Sequence, residues 1–180
     1  ARVFSQFDTA YTMKFCAWDR EEQGKVGSTA YVNTHVGDQV QAMVQIDMIA
    51  HNAGANQENV YGNANALPLK QALMNAATMY GNGIVIANAG DATFSDHAPF
   101  AAAGYQAVCF VEANYISNSC YHNPCDSVDT SNYIHYSFAA NLTRSVAGYL
   151  ADAAQASKLG DVTGDGIVNI LDLLAVVAAW

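Results

Sequence analysis

An α/β fold, an open and mostly parallel sheet with helices on both faces, is what this 180-residue sequence predicts. Strand-like and helix-like stretches alternate along it. Glu21, Glu22, Asp47 and His122 fall at or after the ends of the apolar runs, at the rim where a wound sheet binds ligands. With 52% hydrophobic and 13% charged residues the chain has material for a real core, which excludes disorder. Three Pro and 13 Gly exclude the collagen-like and linker classes.

Ala1 to Gln6 reads as the end of a helix, with neither an initiator Met nor a signal peptide before it, so a preceding part of the protein is expected. Tyr11 to Trp18, apolar except for Lys14, reads as a parallel strand covered on both faces and ends at Asp19. Ser28 to His35 has room for a short helix. Val40 to Met48 alternates, with Val40, Ala42, Val44, Ile46 and Met48 on one face, as a half-polar strand does. Leu67 to Tyr80 reads as a helix opened near Pro68 and closed by Gly81, and Ile84 to Ala87 as a short apolar segment of either type. A short helix over Ala98 to Ala103 ends at Gly104 and leads into a third strand, Ala107 to Glu112, apolar until its last residue. From Ser131 to Ala154 a longer helix carries Ile134, Phe138, Leu142, Val146 and Leu150 as one stripe at spacing four. Gln155 to Gly160 is then a polar break, which divides a domain over 1–155 from a segment over 161–180, with a linker over 156–160.

Seven basic against 16 acidic residues give a net charge of -9, unsuited to neutralising nucleic-acid phosphates and better suited to divalent cations. The longest unbroken apolar stretch, Leu173 to Trp180, falls far short of the roughly 20 residues a membrane-spanning helix needs. Four Cys allow three pairings; Cys120 and Cys125 are close enough in sequence to close a small loop, which favours an oxidising compartment. Cys16 and Cys109, inside apolar runs, read as small buried hydrophobes.

Glu21 and Glu22 follow the first apolar run directly. Adjacent carboxylates repel, so a buried pair needs a cation or keeps a proton; the bland alternative is a solvated turn. Gly24 and Gly27 then permit a tight turn into a helix. Asp47, at the end of the second strand, serves either as a turn cap or as an oxygen donor to a metal. His122 lies with Tyr121 in the loop between Cys120 and Cys125, where a disulfide would fix the backbone and aim both rings. Asp, Glu and His together make a donor set that suits zinc. His97 reads as structural or pocket-lining, and His35, His51 and His135 as surface or satisfied core residues.

Phe15 through Ser28, Gln45-Ile46-Asp47-Met48, Ser95-Asp96-His97-Ala98-Pro99-Phe100 and Tyr121-His122-Asn123-Pro124-Cys125-Asp126 together resemble the bacterial leucyl-aminopeptidase type of co-catalytic zinc peptidases, over about residues 1 to 155. The resemblance implies a hydrolase that removes N-terminal residues from peptide substrates. By position, Glu21 is similar to the general base that takes a proton from a metal-bridging water and passes it to the leaving amine. Glu22 and His122 are similar to ligands of one zinc and Asp47 to a ligand of the other. Tyr121 resembles a tyrosine that donates a hydrogen bond to the tetrahedral intermediate. Two zinc ions in the complete enzyme would polarise the carbonyl and hold the nucleophile. Such enzymes also use an upstream His and a bridging Asp, both of which would precede Ala1, so the fragment by itself is expected to be inactive.

Asp161, Thr163, Asp165, Ile167, Asn169 and Asp172 occupy the donor positions of a twelve-residue calcium loop, with Ile167 offering its backbone carbonyl and Gly166 at the sharp turn. The loop and the apolar helix after it resemble one half of a dockerin repeat, which implies a secreted or surface-attached bacterial protein and a cohesin-like or cell-surface partner. Leu173, Leu174, Val176, Val177 and Trp180 need a surface to cover them. Two other readings stand beside the peptidase: a glutaminyl-cyclase-like acyltransferase using a single zinc, and a non-catalytic surface binding protein of the same fold.

Overall fold

In a computed structural model the fold is described for residues 1–52, 54–158 and 170–178. Four strands form one sheet in the order β2-β5-β3-β4: β2 (Met43–Met48), β3 (Gln57–Tyr61), β4 (Val85–Asn88) and β5 (Ala107–Glu112). β2 and β5 run parallel, as do β3 and β4, and β3 joins β5 antiparallel, so the sheet is mixed but mostly parallel. Because β2 and β5 share a direction, their carboxyl ends open on the same rim, and the loops that leave that rim carry the candidate chemistry.

The central strand β5 is buried along its whole length, the outcome its unbroken apolar run requires. On one face, Val60, Ile86, Val108 and Phe110 meet Leu69, Leu73 and Ala77 of α2 (Leu67–Tyr80) and Phe138, Leu142 and Val146 of α4 (Tyr136–Ala153). Each large side chain so buried contributes about 1.5–3 kcal/mol. On the other face, α3 (His97–Ala102) lies against β2 and β5, with α1 (Val26–Thr34) against α3. Helices thus cover both faces, as alternation predicts.

α2 and β5 have the expected bounds, and the Phe138-Leu142-Val146 stripe faces the core. α4 starts only at Tyr136. The residues before it are spent on tertiary bonds: the His135 N–H donates to the Ala50 carbonyl at 2.7 Å, and His135 Nδ1 accepts from the Asn52 N–H at 3.0 Å.

The stretch from Tyr11 to Trp18 corrects a sequence-based expectation. It forms no strand; among the described residues no ladder partner lies alongside it, and Tyr11 and Phe15 are each 51% exposed. Its free Cys16 is exposed too, whereas Cys109 is buried as expected. Bonds at its ends and side-chain contacts hold this stretch instead: the Ala10 and Tyr11 N–H groups donate to the Ala154 carbonyl, Lys14 Nζ pairs with Asp38 at 2.6 Å, Phe15 meets Phe4, and Trp18 packs on Tyr31 and Phe100. A further strand, β3, stands in a stretch to which the sequence reading assigns no element.

β1 (Phe7–Thr9) pairs antiparallel with β6 (Ala156–Lys158), within the stretch read from sequence as a polar break. α5 (Ile170–Ala178) lies against α4 and buries Leu173 among Phe4, Ala147 and Ala151, so part of its apolar face has the cover it requires. The calcium-loop positions Asp161, Thr163, Asp165, Ile167 and Asn169 lie outside the described residues, while Asp172 is buried on α5. Among the described residues no helix is long and apolar enough to cross a membrane.

Candidate active site

Residues 19–27 close into a compact turn between the extended segment and α1. Glu21 O accepts from the N–H groups of Gly24 and Lys25, Arg20 O from Val26, and Asp19 O from Gly27. The turn needs left-handed backbone at Arg20, Gly24 and Lys25, where φ is 53°, 102° and 57°. Only glycine enters that region freely, so Arg20 and Lys25 are held there at a cost of the order that functional sites tolerate. Gly27 is needed for a different reason: a Cβ there would stand 2.7 Å from the Asp19 nitrogen and 2.8 Å from its oxygen. The turn therefore fixes where Glu21 and Glu22 emerge.

The second contribution comes from the loop after β5. Cys120 and Cys125 are joined as a disulfide with Cα atoms 5.1 Å apart. Successive turn bonds, Tyr121 N–H to Asn118 O, Asn123 N–H to Cys120 O and Asp126 N–H to Asn123 O, fold the segment between and around them. At its tip His122 takes φ 56°, a left-handed setting uncommon outside glycine. That backbone aims the imidazole at the first turn: His122 Nε2 lies 2.9 Å from Glu22 Oε1. Both side chains are more than half exposed, and an ion pair so placed contributes little stability. Two strained turns converging on a pair of so little structural value point to chemistry.

Asp47 enters from the end of β2, held by neighbours the sequence did not single out for it. Ser95 donates its hydroxyl to Asp47 Oδ2 at 2.7 Å, Gln45 Nε2 donates to the Ser95 oxygen at 2.5 Å, and the His97 N–H donates to Gln45 Oε1 at 2.7 Å. Asp96 is buried and accepts from the Ser28 hydroxyl at 2.5 Å, tying this segment to α1. His97 is wholly buried, with Nε2 on the Ala92 carbonyl at 2.9 Å, which fits its structural role. Gln45, Ser95 and Ser28 lie within the stretches that carry the family resemblance, but their residue types alone do not show that they brace Asp47 and Asp96.

The carboxylates crowd one another. Burial holds the Glu21 carboxyl above the usual range, with Glu22, Asp47 and Asp96 adding their repulsion. Tyr121 is likewise raised by burial and by the charges of Glu22, Asp47 and Glu21, so it remains a hydrogen-bond donor at neutral pH. Glu21, Glu22, Asp47 and Tyr121 thus feel one another, with His122 joined to them through Glu22. Among the described residues no three His, Cys, Asp or Glu groups converge closely enough to hold a metal ion. The donor chemistry suits zinc, but the paired His122 and Glu22 give two donors, one short of the three protein ligands of an ordinary catalytic zinc, and Asp47 stands apart.

From His122 a run of rings leads outward. His122 stacks on Tyr121 with centroids 4.0 Å apart, Tyr121 meets Tyr115 edge-on at 5.6 Å, and Phe94 lies between Tyr115 and Tyr61. They adjoin an open cleft of about 460 Å3 lined by Asn59, Tyr61, Asn114, Tyr115, Ile116 and Ser117.

Comparison with known proteins connects this geometry to a lineage. The chain is similar in structure to the LapA aminopeptidase of Legionella pneumophila, with 21% identity and a TM-score of 0.66, over 76% of this chain and 38% of that one. An aminopeptidase from Aneurinibacillus sp. strain AM-1 has 25% identity and a TM-score of 0.65, over 79% and 34%. A glutaminyl cyclase of Porphyromonas gingivalis has 20% identity and a TM-score of 0.57, over 77% and 50%. The chain therefore spans little more than a third of the length of these aminopeptidases. No curated protein matches it significantly. A family model described as Peptidase family M28 matches residues 1–149, and the chain accordingly belongs to that family.

Proposed function

We propose that this chain is part of a zinc-dependent aminopeptidase that hydrolyses N-terminal residues from peptides. The observation that carries the reading is the approach of His122 to Glu22, from two loops a hundred residues apart in sequence, within the electrostatic neighbourhood of Glu21, Asp47 and Tyr121. Membership of a peptidase family and likeness to bacterial aminopeptidases support it. In this reading Glu22 and His122 hold one zinc and Asp47 helps to hold a second. Two such ions, when bound, polarise a peptide carbonyl and make water acidic enough to attack near neutral pH. Three donors are too few for two ions, so the loaded centre draws on groups beyond those described.

Glu21, which pairs with none of the donors, is free to take a proton from the attacking water and return it to the departing amine. Tyr121 points its hydroxyl into the same charged space and donates to the oxygen that gains charge as the carbonyl is attacked. The aromatic cleft beyond Tyr115 would receive an apolar part of the peptide. In the complete protein, Glu21→Gln is expected to leave zinc content unchanged and to lower turnover of a leucyl anilide by about a hundredfold or more, the usual share of general acid–base catalysis. Retained turnover would overturn the assigned base.

The glutaminyl cyclase among the structural neighbours favours a second reading, a single-zinc acyltransferase built on Glu22 and His122. It predicts one zinc per chain and cyclisation of an N-terminal glutamine. The third possibility, a binding protein without metal, is set apart by metal content. The disulfide at Cys120–Cys125 supports export, and a calcium loop at residues 161–172, if it binds, would make the C-terminal segment an attachment module for a cell-surface or cohesin-like partner.

A further inference from the structure

Behind the site lies a second pair of carboxyl groups that the peptidase reading does not use. Glu58 on β3 stands directly opposite Glu112 on β5 in the antiparallel register, so both side chains leave the same face of the sheet, where opposed Cβ atoms lie about 4.5–5.5 Å apart. Glu58 is fully buried, and neither of its carboxyl oxygens has a hydrogen-bond partner. Glu112 is also buried, but its oxygens are occupied: Oε1 accepts from Asn118 Nδ2 at 3.0 Å and Oε2 from the His51 N–H at 2.9 Å.

These bonds reach the active-site loop. Asn118 Nδ2 also donates to the Tyr133 hydroxyl at 2.9 Å, and Asn118 Oδ1 accepts from the Cys120 N–H at 3.1 Å, two residues before His122. Glu112 therefore ties the start and the end of the loop that presents His122. A carboxylate with two N–H donors is equipped to carry charge; one with none is not.

The geometry points to a carboxyl pair that keeps one proton, with the proton on Glu58 and the charge on Glu112, whose two bonds hold the His122 loop to the sheet. Among the described residues the groups around Glu58 supply no compensating cation: Lys70, buried on α2, gives its ammonium to the Asn88 side chain and the Gly90 carbonyl. Ile86 of β4 is its other cross-strand neighbour, and α2 and α4 cover this face with Leu69, Leu73, Phe138 and Leu142. His51 and His135, whose rings meet edge-on, approach from the loops beside Glu112, and His51 Nδ1 is itself buried without a partner. Burial, with repulsion from Glu112, pushes the Glu58 carboxyl up to about 9, in agreement with that assignment.

The sign follows from the linkage. In the folded chain Glu58 keeps its proton at pH values where the unfolded chain has released it, so stability falls as pH rises from the ordinary carboxylate range towards about 9. The test uses the complete protein, without added zinc. Infrared difference spectra at pH 7 should show the carbonyl band of a protonated carboxylic acid, lost in Glu58→Gln and kept in Glu112→Gln. Glu58→Gln should also flatten the fall in Tm between pH 5 and pH 9, and amide exchange over residues 113–135 should be slow in Glu58→Gln and fast in Glu112→Ala. No protonated-acid band, or a fall in Tm that survives Glu58→Gln, would overturn the proposal. So would a rise in Tm with added calcium that Glu58→Gln abolishes, because the pair would then be a cation site. Metal content and peptidase activity do not enter, so this result and the fate of the zinc reading are separable.

Discussion

Glycine 27 shows how much of the candidate site depends on a side chain that is absent. Its α-carbon packs on the Asp19 backbone, and a methyl group would meet two main-chain atoms that cannot rotate out of the way. Gly27→Ala must therefore displace the 19–27 turn, at an expected cost of about 1–3 kcal/mol, the usual range for overpacking. Since Glu22 emerges from that turn, the same variant is expected to separate Glu22 from His122 and weaken zinc binding in the complete protein. Thermal unfolding and a zinc titration check the two halves; unchanged zinc affinity would mean that the turn does not set the ligand position. Glu21, Glu22, Asp47 and His122 were legible as candidates because residue type and order together form a motif; the roles given to them belong to the proposal. Glu58 was not, since a glutamate in a polar stretch gives no sign that it will be buried opposite another acid.

At the scale of elements, the Cys120–Cys125 loop is a small device for aiming one ring. Its six-residue span limits what a cross-link can add: the chain-entropy estimate is about 2 kcal/mol, and that is the loss expected for the double variant Cys120→Ser with Cys125→Ser. The local effect should exceed the global one, because left-handed backbone at His122 is held by the turns the disulfide closes. Denaturant unfolding measures the first and zinc affinity the second; a loss of affinity no larger than the loss of stability implies would contradict an aiming role.

Which elements the sequence revealed follows from the same local physics. β5 is apolar at nearly every position, and α2 has Pro68 in its first turn and Gly81 after its last, so both were read with their full bounds. β3 was missed because Gln57, Glu58 and Asn59 give it a polar look that only the paired structure explains. The extended stretch from Tyr11 to Trp18 failed in the opposite direction, since an apolar pattern reports the wish for a partner strand and cannot supply one.

Across the whole molecule, a sheet rim, two strained loops and a fixed aspartate lie in the region where the proposed function places a zinc centre. The acidic balance of the chain, -9, suits such a centre, and Glu21 is held above the usual carboxylate range by burial and by the neighbouring Glu22, Asp47 and Asp96. That predicts coupling between metal binding and stability: zinc that binds only the folded state must raise Tm as its concentration increases. Metal content of the complete protein, measured by elemental analysis for the parent and for His122→Ala, tests the central claim most directly. Shared ligation by Glu22 and His122 predicts about two zinc ions per chain in the parent and about one in the variant. Equal zinc in both would show that His122 binds no metal, and the meeting of the two loops would then need another explanation.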